Sequence, residues 1–262
     1  MRNTLIAVIA ILLWACADGD SELNDSPIDS KITIETRELL DVDSRRLTFS
    51  CATERVYPCV NYPLLTDRQD DENSFQLTFK SVGITDICLT ALGPATASVE
   101  LGAIAEGEYA FELNNADQKN KGTLKITESE IKLIFDHQNG IEIVRASTKR
   151  VPEKTYWGTI GYHTSASSTL VDEFLQKLSD EGAMFNKQQP GHYFYYEIDE
   201  SGEIVANTEN SGYYFMKAFI FQYDGDESAL KAFITTDAKQ YGSQLSIYLT
   251  SFRGESVNNW SK

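Results

Sequence analysis

Four cysteines and three histidines are the residues of this chain best suited to covalent or metal chemistry. No two cysteines form a C-x-x-C pair, so neither a zinc ribbon nor a thioredoxin-type redox site is suggested. Cys16 stands apart, behind an apolar run. Cys51, Cys59 and Cys88 are an odd set, which leaves at least one free thiol or an intermolecular bond. Cys51–Cys59 closes the shortest loop and is the preferred disulfide; Cys59–Cys88 is the alternative. His137, in "DHQNG", reads as a solvated turn residue. His163 ends one strand and His192 begins another, at opposite sheet edges roughly 20 Å apart, so no shared metal is expected. The acidic runs 18–25 and 67–73 lack the spaced ligands of a calcium loop, and "DGDE" at 224–227 reads as a helix cap. No G-x-S-x-G, H-E-x-x-H, P-loop or G-x-G-x-x-G occurs. We therefore expect no catalytic residues, no metal and no cofactor. With 39 acidic residues, a carboxylate pair acting on polysaccharide is the enzymatic alternative, and no pair is singled out.

The elements that must carry any site fall into two groups. From Ile32 to about Val144, short alternating segments such as "RLTFSC", "FQLTFKSV" and "EYAFELN" are separated by Gly- and Asn-rich turns. This pattern predicts an antiparallel β-sandwich. "RASTKRVPEK", residues 145–154, reads as a linker. After it the period changes. Leu170, Val171, Phe174, Leu175 and Leu178 share one helical face, with Thr169-x-x-Asp172 as a capping box and Gly182 as a stop. A second helix carries Leu230, Phe233, Ile234 and Tyr241, capped at Asp224-x-x-Glu227. With "YWGTIGYH", "HYFYYEI", "YYFMKAFIFQY" and "QLSIYLTSF" as strands, the order is the βαββαβ of a ferredoxin-like domain. The expected division is residues 1–15 leader, 16–31 acidic tether, 32–147 sandwich and 148–262 ferredoxin-like α+β domain.

Two short motifs carry resemblances. Met1-Arg2-Asn3, the uncharged run Leu5–Trp14, Ala15 and Cys16 follow the order of an export signal, and the run is shorter than the about 20 residues a helix needs to span a bilayer. "LWAC" resembles the lipobox of bacterial lipoproteins, with bulky Trp14 as a departure. The resemblance implies cleavage before Cys16, lipidation of its thiol, and a protein anchored in the cell envelope and facing the periplasm or the cell surface. An ordinary secretory signal is the alternative. "IAEGEYAFEL" resembles the tyrosine corner of immunoglobulin-like domains, in which Tyr109, following Gly107, bonds back across the turn. This implies an Ig-like sandwich and nothing about ligand.

Charge narrows the function. The chain has 23 basic against 39 acidic residues, a formal net charge of −16, and loss of residues 1–15 removes one base, Arg2, and no acid. Nucleic acid would be repelled, and membrane contact is expected through the lipid anchor alone. Strand alternation in the second domain then divides its sheet. Ile160, Tyr162, Phe194, Tyr196, Met216, Ala218, Ile220, Leu245, Ile247 and Leu249 are expected beneath the helices. Trp157, Thr159, Tyr193, Tyr195, Glu197, Phe215, Lys217, Phe219, Phe221, Tyr248, Thr250 and Phe252 are expected on the other face. So many aromatics need a cover: the sandwich, a second copy of the chain, or a ligand. Trp157, Tyr193, Tyr195, Glu197, Lys217 and Tyr248 are the candidate binding face for a glycan, peptide or protein. The expected function is non-catalytic binding or scaffolding, with a polysaccharide hydrolase or a structural envelope subunit as alternatives.

Overall fold

A computed structural model describes residues 26–205 and 212–260. Cys16, the leader and most of the tether lie outside the described residues. The protein is mostly β-strand, with two α-helices and two short 3-10 turns among the described residues.

Residues 32–149 form two sheets. One has the order β5-β2-β1-β9, from β5 (Gly93–Gly102), β2 (Arg45–Tyr57), β1 (Ile32–Leu40) and β9 (Ile141–Ile143). The other has the order β10-β8-β7-β6-β4-β3, from β10 (Ser147–Lys149), β8 (Glu130–Phe135), β7 (Gln118–Ile126), β6 (Gly107–Asn115), β4 (Ser74–Val82) and β3 (Leu64–Asp71). Alternating residues of both sheets, among them Ile32, Ile34, Phe49, Leu77, Phe79, Phe111, Leu113 and Leu124, close on one another in a single core. That alternation is what makes a strand burying one face. Two pairs are parallel, β1 with β9 and β4 with β6. The expected linker is no free segment: its middle is β10, which pairs with β8. The expected 147/148 boundary therefore falls inside a strand. The end of the expected tether is also held, because Ser26 bridges Val82 and Ile28 packs on the core.

The second unit has the sheet order β14-β11-β15-β16, from β14 (Phe215–Gln222), β11 (Thr155–Tyr162), β15 (Ser246–Ser251) and β16 (Ser256–Asn258), with every pair antiparallel. Helices α1 (Ser168–Asp180) and α2 (Glu227–Thr235) cover one face. Residues 192–198, expected as a sheet strand, form instead a separate hairpin of β12 (Gly191–His192) and β13 (Glu197–Ile198). The four consecutive aromatics Tyr193–Tyr196 make its turn, with Phe194 at φ 58°. An extended segment could not place Tyr193 and Tyr196 in ring contact at 4.8 Å, as they are here. The α1 capping box is not made: the N-cap is Ser167, without a side-chain cap bond, after a 3-10 turn at Ser165–Ser167. At α2 the cap is Asp226, whose carboxylate accepts from Ser228 N at 2.9 Å.

The preferred Cys51–Cys59 disulfide is corrected by the structure. Cys59 bonds Cys88, with Cα atoms 5.2 Å apart. Cys51 points from β2 into the sandwich core, 1 % exposed, and is free. A core-facing strand residue has no route to a cysteine beyond the end of its own strand. Burial pushes its thiol up to about 12.

Candidate binding site

Pairing across β11 assigns the faces of the second sheet. Trp157 stands opposite Ile220 and Thr250, and Thr159 opposite Ala218 and Tyr248. Directly opposed residues share a face, so these six lie on the side away from the helices. Trp157, Thr159, Tyr248 and Thr250 are where expected. On β14 the expected phase is inverted. Phe219 and Phe221 lie under the helices, while Ala218 and Ile220 face away. The reason lies in α1, whose Phe174 needs ring partners: it meets Phe219 at 6.0 Å and Phe233 at 5.9 Å. Small Ala218 would leave a void there.

The helix-free face is closed around Trp157 by the protein itself. Trp157 is 7 % exposed and packs with Val151, Tyr193, Tyr196, Ile198 and Ile220. Its ring centroid lies 5.6 Å from Tyr195 and 5.1 Å from Tyr196. The β12–β13 hairpin thus folds over the sheet, and its turn reaches the sandwich. Leu40, at the end of β1, joins the cluster, and its N–H donates to Tyr195 Oη at 3.1 Å. The Arg37 guanidinium sits 4.8 Å from the Phe194 ring. A non-glycine residue in the left-handed region is held there only when its surroundings demand it, and this contact is such a demand. Burial raises the hydroxyl pKa of Tyr193, Tyr195 and Tyr196. These rings are junction core.

The rest of the candidate face is scattered. Glu197 is exposed on β13, and Lys217 lies on the helix side of β14, lining a hollow of ≈ 210 Å³ with Phe185 and Glu203. Tyr248 is 40 % exposed and stacks on Trp260 at 6.5 Å. The three histidines are also apart in role. His163 rests against Tyr213 and Tyr214 at the end of β11. His192 lies in β12, where burial and then the Arg145 charge hold its pKa below the usual range. No group of three or more metal-ligating side chains occurs among the described residues.

What sequence reasoning missed is a cleft of ≈ 450 Å³ where the two units meet, lined by Arg45, Glu106, Glu128, Arg150, Gln189 and Tyr193, among others. Its size falls within the range of small-molecule sites, and domain interfaces are a usual place for them. Arg150 anchors one wall. Its Nε donates to Glu38 Oε1 at 2.8 Å and its Nη1 to the Thr127 carbonyl at 2.8 Å. Arg45 approaches the other Glu38 oxygen at 3.6 Å, and its Nη2 is buried without a hydrogen-bond partner. Glu38, 7 % exposed, therefore sits between two guanidiniums. Tyr193 closes the far side, its hydroxyl donating to the Gln189 carbonyl at 3.0 Å.

No family model, curated protein or solved structure matches this chain. The chemistry of the cleft must speak for itself. It offers guanidinium donors, carboxylate acceptors and an amide, beside one ring and the apolar Val151–Pro152 segment. Such a mixture suits a polar chain carrying both donors and acceptors better than a simple anion or an apolar molecule. Of the sequence signals, "RASTKRVPEK" pointed nearest to it: its Arg150, Pro152 and Glu153 line the wall.

Proposed function

We propose that this is an exported, lipid-anchored binding protein of the bacterial cell envelope, without catalytic chemistry of its own, which takes a glycan or a peptide in the cleft at its domain junction. The observation that carries the binding reading is the ≈ 450 Å³ cleft with both donors and acceptors. The Cys59–Cys88 disulfide supports export, since such bonds persist in oxidising compartments. Anchoring rests on the Leu13-Trp14-Ala15-Cys16 order. The sandwich is read as Ig-like, supported by Tyr109 Oη donating to the Ala105 carbonyl at 3.0 Å, a tyrosine-corner contact. The ferredoxin-like reading is not carried further, because the β12–β13 hairpin stands outside the sheet.

Two measurements test the proposal. Mass spectrometry of the native N-terminal peptide should find a diacylglyceryl group on Cys16, and an unmodified peptide starting downstream would overturn the anchor. Calorimetric titration with oligosaccharides and short peptides should find a ligand whose affinity falls at least tenfold in Glu128→Gln/Gln189→Ala. Both positions are exposed in the cleft wall, so the fold should be unaffected. Undiminished binding in that variant would place the ligand elsewhere. A polysaccharide hydrolase is the second reading, favoured by Glu106, Glu128 and Glu153 sharing the cleft. It requires product release from a glycan that Glu→Gln variants still bind.

A further inference from the structure

Among the described residues, a run of exposed aliphatic side chains lies in the loop between β4 and β5. Gly83 to Leu92 reads "GITDICLTAL", with Asp86 its single charge. Ile84 is 47 %, Ile87 76 %, Leu89 56 % and Leu92 78 % exposed, and Val60 beside them is 40 % exposed. Isolated exposed aliphatics are ordinary, but a cluster of this kind marks a surface that meets something apolar.

This loop is not loose chain with greasy residues. The Cys59–Cys88 disulfide ties it to the segment after β2. Asn61 binds it from within: its Nδ2 donates to the Ile87 carbonyl at 2.7 Å, and its Oδ1 accepts from Leu89 N at 3.0 Å. Val60 N donates to the Leu89 carbonyl at 3.3 Å, and Gly83 N to the Pro63 carbonyl at 2.9 Å. These bonds pin the start of the loop and its Ile87–Leu89 turn, while Ile84, Ile87, Leu89 and Leu92 stay exposed. A knuckle pinned in this way presents its aliphatic side chains at fixed positions, and its remaining backbone groups keep it at the hydrated headgroup level rather than in the acyl core.

The position of the N-terminal segment says which medium. Ser26 N donates to the Val82 carbonyl at 2.9 Å, and Val82 N donates to the Ser26 carbonyl at 2.8 Å. The chain thus joins the fold one residue before the loop begins. Residues 16–26 can span at most about 35 Å. A lipid on Cys16 would keep the Val82 end of β4, and with it this loop, within that reach of the bilayer.

We propose that the Ile84–Leu92 knuckle is a second membrane contact, its aliphatic side chains seated at the boundary between headgroups and acyl chains. The proposal rests on the lipid-anchor reading for its placement, and its test is made without the lipid. Cationic attraction has no part in it, because the loop carries no basic residue and the chain is acidic. Neutral lipid should therefore serve as well as anionic lipid or better.

The test uses the oxidised chain from residue 16 with Cys16→Ser, incubated with phosphatidylcholine vesicles and, separately, with phosphatidylglycerol vesicles. Sedimentation should show binding to phosphatidylcholine that persists in 0.5 M salt. An environment-sensitive dye on Thr90→Cys should shift to the blue. Ile87→Asp/Leu92→Asp should lower the partition coefficient at least tenfold, the size expected when two aliphatic side chains no longer enter the apolar layer. Both side chains are more than three-quarters exposed, so circular dichroism and the disulfide should be unchanged. No binding to either vesicle, or binding that the double variant retains, would overturn the proposal. So would concentration-dependent self-association that the double variant abolishes while vesicles have no effect, since the knuckle would then be an interface between copies. None of these outcomes depends on whether Cys16 is lipidated, so the anchor reading stands or falls separately.

Discussion

Trp157→Ala is the sharpest probe of the domain junction. The ring is 7 % exposed on the central strand of its sheet, touches Tyr195 and Tyr196, and lies in the cluster that Leu40 of the sandwich completes. Its removal loses the transfer energy of the indole and leaves a cavity that the sheet on one side and the hairpin turn on the other cannot close. Such substitutions cost about 3–5 kcal/mol, roughly a fifth or more of the stability of a typical domain of about 5–15 kcal/mol. The loss should fall mainly on the second unit. Urea unfolding followed by circular dichroism, since the substitution removes a fluorescence reporter, should show the helical signal melting earlier. The strand signal of the sandwich should reflect a loss of no more than about 2 kcal/mol, the worth of the Leu40 N bond and the Arg37–Phe194 contact together. Tyr195→Phe removes that bond alone and should cost about 1 kcal/mol. The double variant should cost less than the two singly, because the rings are in contact at 5.6 Å. A loss below about 1 kcal/mol for Trp157→Ala would refute the argument, since it would mean that the aromatic face is open and the hairpin does not cover it.

Other outcomes follow from the same geometry. Glu38→Ala leaves Arg150 and Arg45 facing each other without their shared carboxylate, and should cost about 2 kcal/mol by thermal or urea melts, below the ~3–5 kcal/mol of a fully buried pair because Arg45 still meets solvent. Glu130 gives an acid dependence. Partial burial would raise its pKa, but bonds from Lys132 and Ser147 and the Lys149 charge outweigh this and hold it at about 2. Because the folded value is below the unfolded one, the contribution is fully present above about pH 4.5 and is lost as pH falls towards 2. Glu130→Gln should flatten the pH dependence of melting in that window and detach β10 from β8 first. Reducing Cys59–Cys88, which spans 29 residues, should cost about 3–4 kcal/mol by the loop-entropy relation, read as a drop in urea midpoint in Cys59→Ser/Cys88→Ser. Cys51 should stay unlabelled by iodoacetamide until the sandwich is unfolded, given its burial and raised pKa.

How much of this was legible in the sequence depends on whether one local period decided the matter. The strands of the sandwich were, because Leu47, Phe49 and Cys51 alternate with solvated or sheet-lining neighbours and only one face is apolar. The helices were, because Val171, Phe174 and Leu178 repeat at helical spacing. "FMKAFIFQ" was not, because both of its faces are apolar and alternation cannot say which one the helices take. That choice was made by Phe174, a residue on another element. "HYFYYEI" was not, because a run of aromatics has strand propensity wherever it lies. Its contacts with distant residues, of Phe194 with Arg37, of Tyr195 with Leu40 and of Tyr195 and Tyr196 with Trp157, turn it into a hairpin cap. The cleft is made by Arg45, Arg150 and Tyr193, far apart in sequence, and no spacing rule could join them.

The two proposed surfaces sit at opposite ends of one long hairpin. The β1–β2 pair has Leu40 and Arg45 at one end, at the junction and the cleft, and Ile32 and Tyr57 towards the other. Beyond Tyr57 come Cys59 and the apolar loop, and beside that loop Ser26 brings in the chain from the N-terminus. β2 runs from Arg45 to Tyr57, which at about 3.3 Å per residue is roughly 40 Å less whatever its bulges take up. On the proposed knuckle contact, the cleft would lie up to about that far from the bilayer. Such a distance suits a ligand that lies away from the membrane, such as a wall or surface glycan, and disfavours one embedded in it. Tyr195 on Leu40 and Phe194 on Arg37 hold the second unit against the far end of the sandwich, and a loose joint there would leave the cleft without a constant shape.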